Sequence, residues 1–325
     1  MEEQIFKSRI DLEKLKETAD KLRNEISKVV VGQSEMLNQI LVAILTDGHV
    51  LIEGVPGVAK TLTAKLTAKC ISADFSRIQF TPDLMPSDVI GTTVFNVKTS
   101  EFEFKKGPIF SNIVLIDEIN RSPAKTQAAL FEAMEERQVT VDGKTYKLDA
   151  PFVVFATQNP VEQEGTYRLP EAQLDRFLFK IVVDYPTVED EIKILTNNHA
   201  RKGTSELASV DSFLTKEEII SYREKVKEIH IEEKLIEYIA KIISKTRNNG
   251  ALFLGASPRA SIAIMTASKA LAAIRGRDFV KPEDIKTTAY PVLRHRIILS
   301  PEKEMEGVST MQVIKQIINS VEVPR

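Results

Sequence analysis

The stretch 54–61 places glycines, a lysine and a hydroxyl at the spacing of a phosphate-binding loop. It reads Gly-Val-Pro-Gly-Val-Ala-Lys-Thr, follows the apolar run 49–52, and leads into a helical pattern that reaches Cys70. A tight loop at a helix N-terminus points backbone N–H groups at an anion, and the helix dipole adds partial positive charge. Lys60 is then expected to reach the β- and γ-phosphates of a nucleotide, and the Thr61 hydroxyl to bind Mg²⁺. For the motif alone, a glycine and proline turn that happens to end in Lys-Thr is the alternative.

The residue before the lysine is usually glycine, and here it is Ala59. If this position had a positive φ, the alanine would cost on the order of 1 kcal/mol or more. If it lay in the helical region, the alanine would cost nothing. We expect the helical conformation.

Two acids follow a second buried run. Residues 112–118 read Asn-Ile-Val-Leu-Ile-Asp-Glu, and an apolar strand carries such carboxylates to its C-terminal edge, where ligands bind in open α/β sheets. Asp117 is expected to hold Mg²⁺, and Glu118 to act as general base for an attacking water. Surface acids after a strand are common, but a position downstream of Lys60 in the same predicted sheet favours the catalytic interpretation.

Asn159 and Arg176 are further candidates. Asn159 follows the strand pattern 152–157, and its neutral amide could hydrogen-bond the attacking water or the γ-phosphate, although Asn-Pro is also a common turn starter. An arginine such as Arg176 can stabilise the charge of a transferring phosphoryl group. The alternative is a surface salt bridge to Asp175 or Glu171. Arg168 is the rival for the same role.

Arg259 lies in the first turn of a helix that Ser257 and Pro258 are predicted to open. A cation in that turn opposes the helix dipole, which indicates an anionic partner such as the nucleotide. A solvated arginine is the alternative.

Apolar runs and helical patterns alternate through the first part of the chain. This alternation predicts an α/β fold with a parallel sheet covered by helices on both faces. Two segments with period-2 patterns, 92–104 and 138–148, interrupt it and are predicted hairpins. The predicted strands are 49–53, 75–81, 113–117, 152–158 and one near 177–183, and the predicted helices between them include 60–71 and 122–136.

After Pro186 the pattern becomes helical, and no further strand is evident. We therefore expect two domains, an α/β domain over 1–186 and an α-helical domain over 187–325. The predicted helices of the second domain are about 187–201, 215–229, 232–247, 257–275 and 282–295.

Composition limits the class of protein. The chain has 325 residues, 43% hydrophobic content, a net charge of −2 and one cysteine. It is long enough for two cores, and nothing in the balance of charge indicates a nucleic-acid or membrane surface. The acidic N-terminus is unlike a signal peptide, and no apolar run is long enough to span a membrane. We expect a cytoplasmic protein without disulfides, whose four histidines lack the spacing of a metal site.

Taken together, these segments resemble the AAA+ ATPases and, within them, the MoxR family. The resemblance covers nearly the whole chain. The segments that carry it are 54–61, Phe80-Thr-Pro-Asp-Leu-Met-Pro-Ser-Asp-Val-Ile-Gly91, Lys106-Gly-Pro-Ile-Phe110, Asp117-Glu-Ile-Asn-Arg121, Ala156-Thr-Gln-Asn-Pro160 and Leu169-Pro-Glu-Ala-Gln-Leu-Asp-Arg-Phe177.

The resemblance implies a sheet domain followed by a helical lid, assembled as a hexameric ring with Mg²⁺ and ATP between subunits. In the terms of this family, Asp117 and Glu118 belong to Walker B, Asn159 to sensor 1 and Arg259 to sensor 2, while Arg176 matches the arginine finger that acts on the neighbouring subunit's nucleotide. The expected nucleotide-binding residues are Gly32, Gln33, Val55, Pro56, Gly57, Val58, Ala59, Lys60, Thr61, Leu62 and Arg259.

The resemblance also implies chaperone-like remodelling or maturation of client proteins, with a separate partner that carries a von Willebrand factor A domain. Two other functions remain open. One is a nucleic-acid-dependent motor, which Lys144 and Lys147 on the second hairpin would allow but the slight net acidity disfavours. The other is a slow assembly scaffold gated by nucleotide.

Overall fold

The computed structural model describes residues 10–160, 167, 169–201 and 205–324. The chain forms two compact units. One unit is Leu22–Ile220. The other consists of the residues up to Lys21 together with Ser221–Arg325. The domain boundary predicted at Pro186 stays a prediction.

The predicted strands and helices occur in the expected order, together with elements that the sequence patterns did not indicate. The helices of the described residues are α1 (Glu13–Ser27), α2 (Ser34–Leu45), α3 (Lys60–Cys70), α4 (Pro86–Ile90), α5 (Ala124–Glu136), α6 (Glu171–Leu174), α7 (Val188–Arg201), α8 (Lys216–Glu228), α9 (Glu233–Arg247), α10 (Pro258–Ile274), α11 (Pro282–Leu293), α12 (Pro301–Met305) and α13 (Thr310–Ser320). The strands are β1 (Val50–Gly54), β2 (Phe75–Gln79), β3 (Gly91–Asn96), β4 (Glu101–Lys106), β5 (Ile113–Asp117), β6 (Gln138–Val141), β7 (Lys144–Lys147), β8 (Val153–Gln158), β9 (Phe179–Val183), β10 (Leu252–Leu254) and β11 (Ile298–Leu299).

A five-stranded sheet in the order β2-β5-β8-β1-β9 forms the centre of the first unit. All its strands are parallel. The central strands β1, β5 and β8 are buried along nearly their whole length, because a parallel sheet with helices on both faces needs apolar side chains on both sides. The α/β fold class predicted from the alternation is confirmed.

An apolar core lies under one face of this sheet and fixes the ends of β5 and β8. It includes Ile116 of β5, Ala156 of β8 and the aromatic residues Phe131 and Phe177. The rings of Phe131 and Phe177 meet edge to face with their centroids 5.9 Å apart. The polar residues that follow these strands are therefore held by a packed layer.

Both predicted hairpins are confirmed, as the antiparallel pairs β3–β4 and β6–β7. Asp142 and Gly143 form the second turn with φ of 50° and 74°, the positive values that an Asp-Gly turn favours. The two hairpins touch each other. The Thr93 hydroxyl donates to Asp142 Oδ2 at 2.6 Å, and the rings of Phe104 and Tyr146 stack at 4.3 Å.

The second unit is a helical bundle in which α10 packs on α9 and α11, and α13 packs on α9 and α11. Its core contains Tyr238, Ile242, Ile264, Ala267, Ile285, Val292, Ile314 and Ile317. The expectation of no further strand was wrong, because β10 and β11 pair antiparallel in this unit. Strands of three and two residues are too short to leave a periodic pattern in the sequence.

A buried carboxylate stabilises the start of α11. Asp284 is fully buried and accepts hydrogen bonds from the guanidinium of Arg275 at 2.7 Å and from that of Arg277 at 2.7 and 2.8 Å. The backbone N–H of Lys281 also donates to it, at 2.9 Å. The carboxylate therefore closes the first turn of α11 and accepts hydrogen bonds from two arginines at once. None of the helices in the described ranges is both long and apolar enough to cross a membrane.

Candidate nucleotide-binding site

The loop between β1 and α3 lies at the C-terminal edge of the sheet, where β1 has β8 on one side and β9 on the other. Such a position, at which the chain order reverses, is the usual ligand-binding edge of an open α/β sheet. Pro56 and Gly57 in the loop are exposed. Gly57 has a φ of 90°, and a Cβ added there would meet no atom within 4 Å. The absent side chain leaves the backbone N–H groups of the loop accessible to an anion.

The backbone of Ala59 has φ 60° and ψ 19°, in the left-handed region, so the expected helical conformation was wrong. The reason is the sharp turn from β1 into α3, for which Ala59 occupies the N-cap position. Its carbonyl accepts hydrogen bonds from the backbone N–H and the hydroxyl of Thr63, both at 2.9 Å. The conformation costs roughly 1–2 kcal/mol for a residue with a Cβ.

Lys60 and Thr61 begin α3. The ammonium group of Lys60 donates to the carbonyl of Gly54, so the side chain folds back across the loop. The hydroxyls of Thr63 and Thr67 donate to the carbonyls four residues earlier, at 2.9 and 2.8 Å, whereas for Thr61 no such bond is seen within the described residues. The Thr61 hydroxyl thus keeps its donor and its lone pairs for a ligand.

The buried carboxylate of Asp117 ends β5 and is engaged on both oxygens. Oδ1 accepts from the Thr157 hydroxyl at 3.1 Å, and Oδ2 accepts from Nε of Arg77 at 2.5 Å. Arg77 also donates from Nη2 to Gln79 Oε1 at 3.2 Å. Sequence reasoning missed Arg77 and Thr157. The pairing of β2 and β8 with β5 would have identified both, since it places them beside the acid.

Glu118 follows directly and also has a left-handed backbone, with φ 57° and ψ 54°. Its N–H donates to the Thr157 hydroxyl at 3.1 Å, and its carboxylate forms an ion pair with Nε of Arg121 at 2.7 Å. Asn159 is buried just beyond β8. Because β8 lies between β5 and β1, the sheet brings Asn159, the two acids and the loop to one edge.

Arg176 lies at the other edge. It precedes β9, and the last residue of β9, Val183, pairs with Gly54 at the start of the loop. The five residues of β9 therefore separate Arg176 from the loop by about 15 Å. Its Nη1 donates to the carbonyl of Phe131 and lies 3.7 Å from Glu135 Oε2. Arg168, the rival candidate, lies outside the described residues.

The segment 32–33 contacts the chain that leaves β9. Gly32 has a φ of 77°, a conformation that favours glycine, and a Cβ there would come within 2.6 Å of Asp190 Oδ2. Gln33 Nε2 donates to the carbonyl of Asp184 at 3.4 Å. Arg259 belongs to the helical unit. It is exposed in the first turn of α10, and Ser257 and Pro258 occupy the predicted N-cap and first helical positions.

The donor set fits a magnesium–triphosphate. Hydroxyl and carboxylate oxygens are the ligands that Mg²⁺ takes from proteins, and Thr61 and Asp117 supply one of each. The open backbone cradle at Gly57 and the adjacent Lys60 suit phosphate oxygens.

Comparison with known proteins agrees with this geometry. Residues 49–179 match the family described as "ATPase family associated with various cellular activities (AAA)", and residues 244–317 match the AAA lid domain. The Bacillus subtilis protein YeaC is 48% identical, over 92% of this chain and 92% of its own length. Chaperone MoxR1 of Mycobacterium tuberculosis is 42% identical, over 93% of this chain and 81% of its own. A crystal structure from Cytophaga hutchinsonii, of a protein assigned as a candidate ATPase, superposes with a TM-score of 0.86 at 46% identity, covering 97% of this chain and 99% of its own.

Proposed function

This chain belongs to the MoxR family of AAA+ ATPases, and from that premise we propose that its ATP hydrolysis depends on Mg²⁺, occurs between subunits of a ring and drives the remodelling of client proteins. ATP hydrolysis itself is the activity of the family. The observation that carries the proposal is the convergence at one sheet edge of the phosphate loop on β1, the acids on β5 and Asn159 after β8.

The loop residues and Asp117 hold the nucleotide. Backbone N–H groups of Val55 and of Gly57 to Leu62 would donate to the phosphates, Lys60 would leave the Gly54 carbonyl to contact them, and Thr61 and Asp117 would hold Mg²⁺. When bound there, Mg²⁺ would supply positive charge against the charge that develops on the transferring phosphoryl group. Gly32 and Gln33 fall where proteins of this family commonly hold the adenine, and we assign them that role.

Glu118 and Asn159 activate and orient the attacking water. The Glu118 carboxylate accepts its proton as general base. Its ion pair with Nε of Arg121, at 2.7 Å, involves Oε2 and leaves Oε1 for the water. Asn159, a neutral amide, orients the water or the γ-phosphate without adding charge.

Arg176 completes the site of a neighbouring subunit. It stands at the sheet edge opposite the phosphate loop of its own chain, about 15 Å along β9, so it cannot reach its own nucleotide. The Arg176 guanidinium is held against α5 by its hydrogen bond to the Phe131 carbonyl. From there it acts on the nucleotide of the neighbouring subunit as an arginine finger. Such a finger is worth about 10³–10⁵ in rate in related phosphoryl transfers. Arg168 is the alternative finger.

The proposal that ATP hydrolysis drives the remodelling of client proteins is supported by the family to which the chain belongs. One relative is named a chaperone, and the hairpin β3–β4 carries two exposed aromatic side chains, Phe95 and Phe102, which suit contact with polypeptide. We extend the proposal to a hexameric ring in the cytoplasm and to a separate partner with a von Willebrand factor A domain.

Subunit mixing tests the shared site. Arg176→Ala and Glu118→Gln subunits should each be inactive alone. In co-assembled 1:1 rings, about a quarter of the sites combine an intact base with an intact finger, so activity should return to about a quarter of wild type. The matched control mixes Glu118→Gln with Lys60→Ala. Both defects then lie in the same half of the site, and no activity should return. Mixed Arg176→Ala and Glu118→Gln rings that are no more active than their parts would contradict the proposal.

A further inference from the structure

We propose that Arg77 is a positioning residue for the magnesium site, holding the Asp117 carboxylate while the site lacks metal and releasing it when the metal–nucleotide binds. This inference rests on the proposed function, since it assumes that Asp117 is a metal ligand.

The sheet brings the two residues together. β2 is the edge strand beside β5, and Gln79 at its end pairs with Asp117. Arg77 lies two residues earlier on the same face, so its side chain extends along the strand to Asp117 with Nε 2.5 Å from Oδ2. Gln79 accepts from Nη2 at 3.2 Å and sets the plane of the guanidinium. A hydrogen bond between two charged groups at this distance is stronger than one between neutral groups.

The two partners differ in exposure to solvent. The Asp117 side chain is 9% exposed, whereas that of Arg77 is 49% exposed. Thr157 fixes the carboxylate on its other oxygen and accepts the N–H of Glu118. The acid is therefore anchored, and the arginine is the member of the pair that can move into solvent.

Metal and guanidinium compete for the acid. A magnesium ligand oxygen must approach to about 2.0–2.1 Å, and a second cation already on Oδ2 repels the ion. Thr157 carries no charge and can stay. Arg77 supplies the positive charge that the buried carboxylate would otherwise lack in the absence of metal, and it raises the Mg²⁺ concentration needed to load the site.

The consequence is a lower Mg²⁺ requirement when the charge is removed. In Arg77→Gln the half-saturating Mg²⁺ for binding a fluorescent ATP analogue should fall about two- to fivefold, the range that partly exposed ion pairs support. Arg77→Lys keeps a cation within reach and should stay near wild type. The matched control is Lys216→Gln, which removes a cation paired with Asp74 at 2.8 Å just before β2, and it should leave the Mg²⁺ dependence unchanged.

The readout is analogue fluorescence as MgCl₂ is titrated at fixed analogue, which needs no hydrolysis. An unchanged or raised Mg²⁺ requirement in Arg77→Gln would overturn the inference, and so would an Arg77→Lys protein that behaves like Arg77→Gln. In both cases the proposed function would be unaffected, provided that the wild-type protein binds the analogue in a Mg²⁺-dependent manner. A wild-type protein that binds the analogue equally well without Mg²⁺ would overturn the inference, whereas the proposed function is tested by the activity of the mixed rings.

A second measurement avoids nucleotide altogether. Urea unfolding without metal, on wild type, Arg77→Gln, Asp117→Asn and the double variant, forms a double-mutant cycle. The loss of stability caused by Arg77→Gln should shrink by at least half when residue 117 is already neutral. Equal losses in the two backgrounds would show that the pair does not couple in the metal-free protein and would overturn the inference.

Discussion

Replacing Ala59 with glycine is expected to stabilise this protein, although the same replacement destabilises an ordinary helix. Ala59 has φ 60° and ψ 19°, a conformation that costs a residue with a Cβ roughly 1–2 kcal/mol. Glycine removes that cost, but the unfolded chain gains entropy worth about 0.4–1 kcal/mol. The expected net gain in the free energy of unfolding is about 0.5–1 kcal/mol.

The native contacts at this position do not depend on the alanine side chain. The carbonyl of residue 59 accepts from the N–H and the hydroxyl of Thr63, both at 2.9 Å, and glycine retains that carbonyl. Nucleotide binding should therefore stay within about twofold of wild type, since the backbone of the loop keeps its path.

The matched control is Ala128→Gly. Ala128 is an exposed residue inside α5, where glycine should cost about 0.5–1 kcal/mol. Ala59→Val adds a third point, because a β-branched side chain is least tolerated at positive φ, and stability at residue 59 should rank glycine above alanine above valine. The assay is urea unfolding without nucleotide, followed by circular dichroism. An Ala59→Gly protein destabilised as much as Ala128→Gly would refute the left-handed assignment.

Three other changes have defined outcomes. Lys60→Ala should weaken binding of a fluorescent ATP analogue by about 10–100-fold or more, the worth of a charge-assisted hydrogen bond, while Lys65→Ala on the same helix should not; tight binding by Lys60→Ala would contradict the placement of the phosphates. Asp284→Ala should cost about 2–3 kcal/mol in urea unfolding, because the first turn of α11 and two partly exposed arginines lose their common acceptor, and a loss below about 1 kcal/mol would contradict that role. Burial raises the pKa of the Cys70 thiol to about 12 from 9.0, so iodoacetamide at pH 8 should label it only after unfolding. Because the folded state favours the protonated thiol, the free energy of unfolding should not depend on this group below about pH 9. It should fall as the pH rises from about 9 toward 12, where the unfolded chain releases the proton more readily.

Patterns with a strong local signal predicted most of the fold. The buried strands β1, β5 and β8 were visible as uninterrupted apolar runs, and Asp142-Gly143 marked the second hairpin. The phosphate loop and the acids Asp117 and Glu118 were predicted because each follows such a run, and parallel strands end at a common edge.

Contacts between distant segments could not be predicted in the same way. Arg77 meets Asp117 only because β2 pairs with β5 in one register, and a shift of one residue would turn Arg77 to the other face. The bond from Arg176 to the Phe131 carbonyl similarly depends on the packing of α5 beside β9. Neither side chain carries a local sequence signal for its partner.

Backbone conformation was misjudged at Ala59, and the distribution of left-handed residues explains why this site is special. Within the described residues, the non-glycine residues with positive φ are Asp47, Ala59, Ser72, Ser100, Glu118, Arg137 and Asp142. Most of them follow helices or lie in hairpin turns, where that conformation is ordinary. Ala59 and Glu118 instead precede helical turns, where an extended residue is the rule.

These two strained residues lie at the same sheet edge, one ending the phosphate loop and the other following the metal ligand. Strain of this kind persists where the surrounding structure enforces it, and it clusters at functional sites. The two positions differ in what they require. At residue 59 only the backbone path is needed, so glycine should relieve the strain without loss of binding. At residue 118 the carboxylate itself is the proposed base, so the strain cannot be removed there without removing the chemistry.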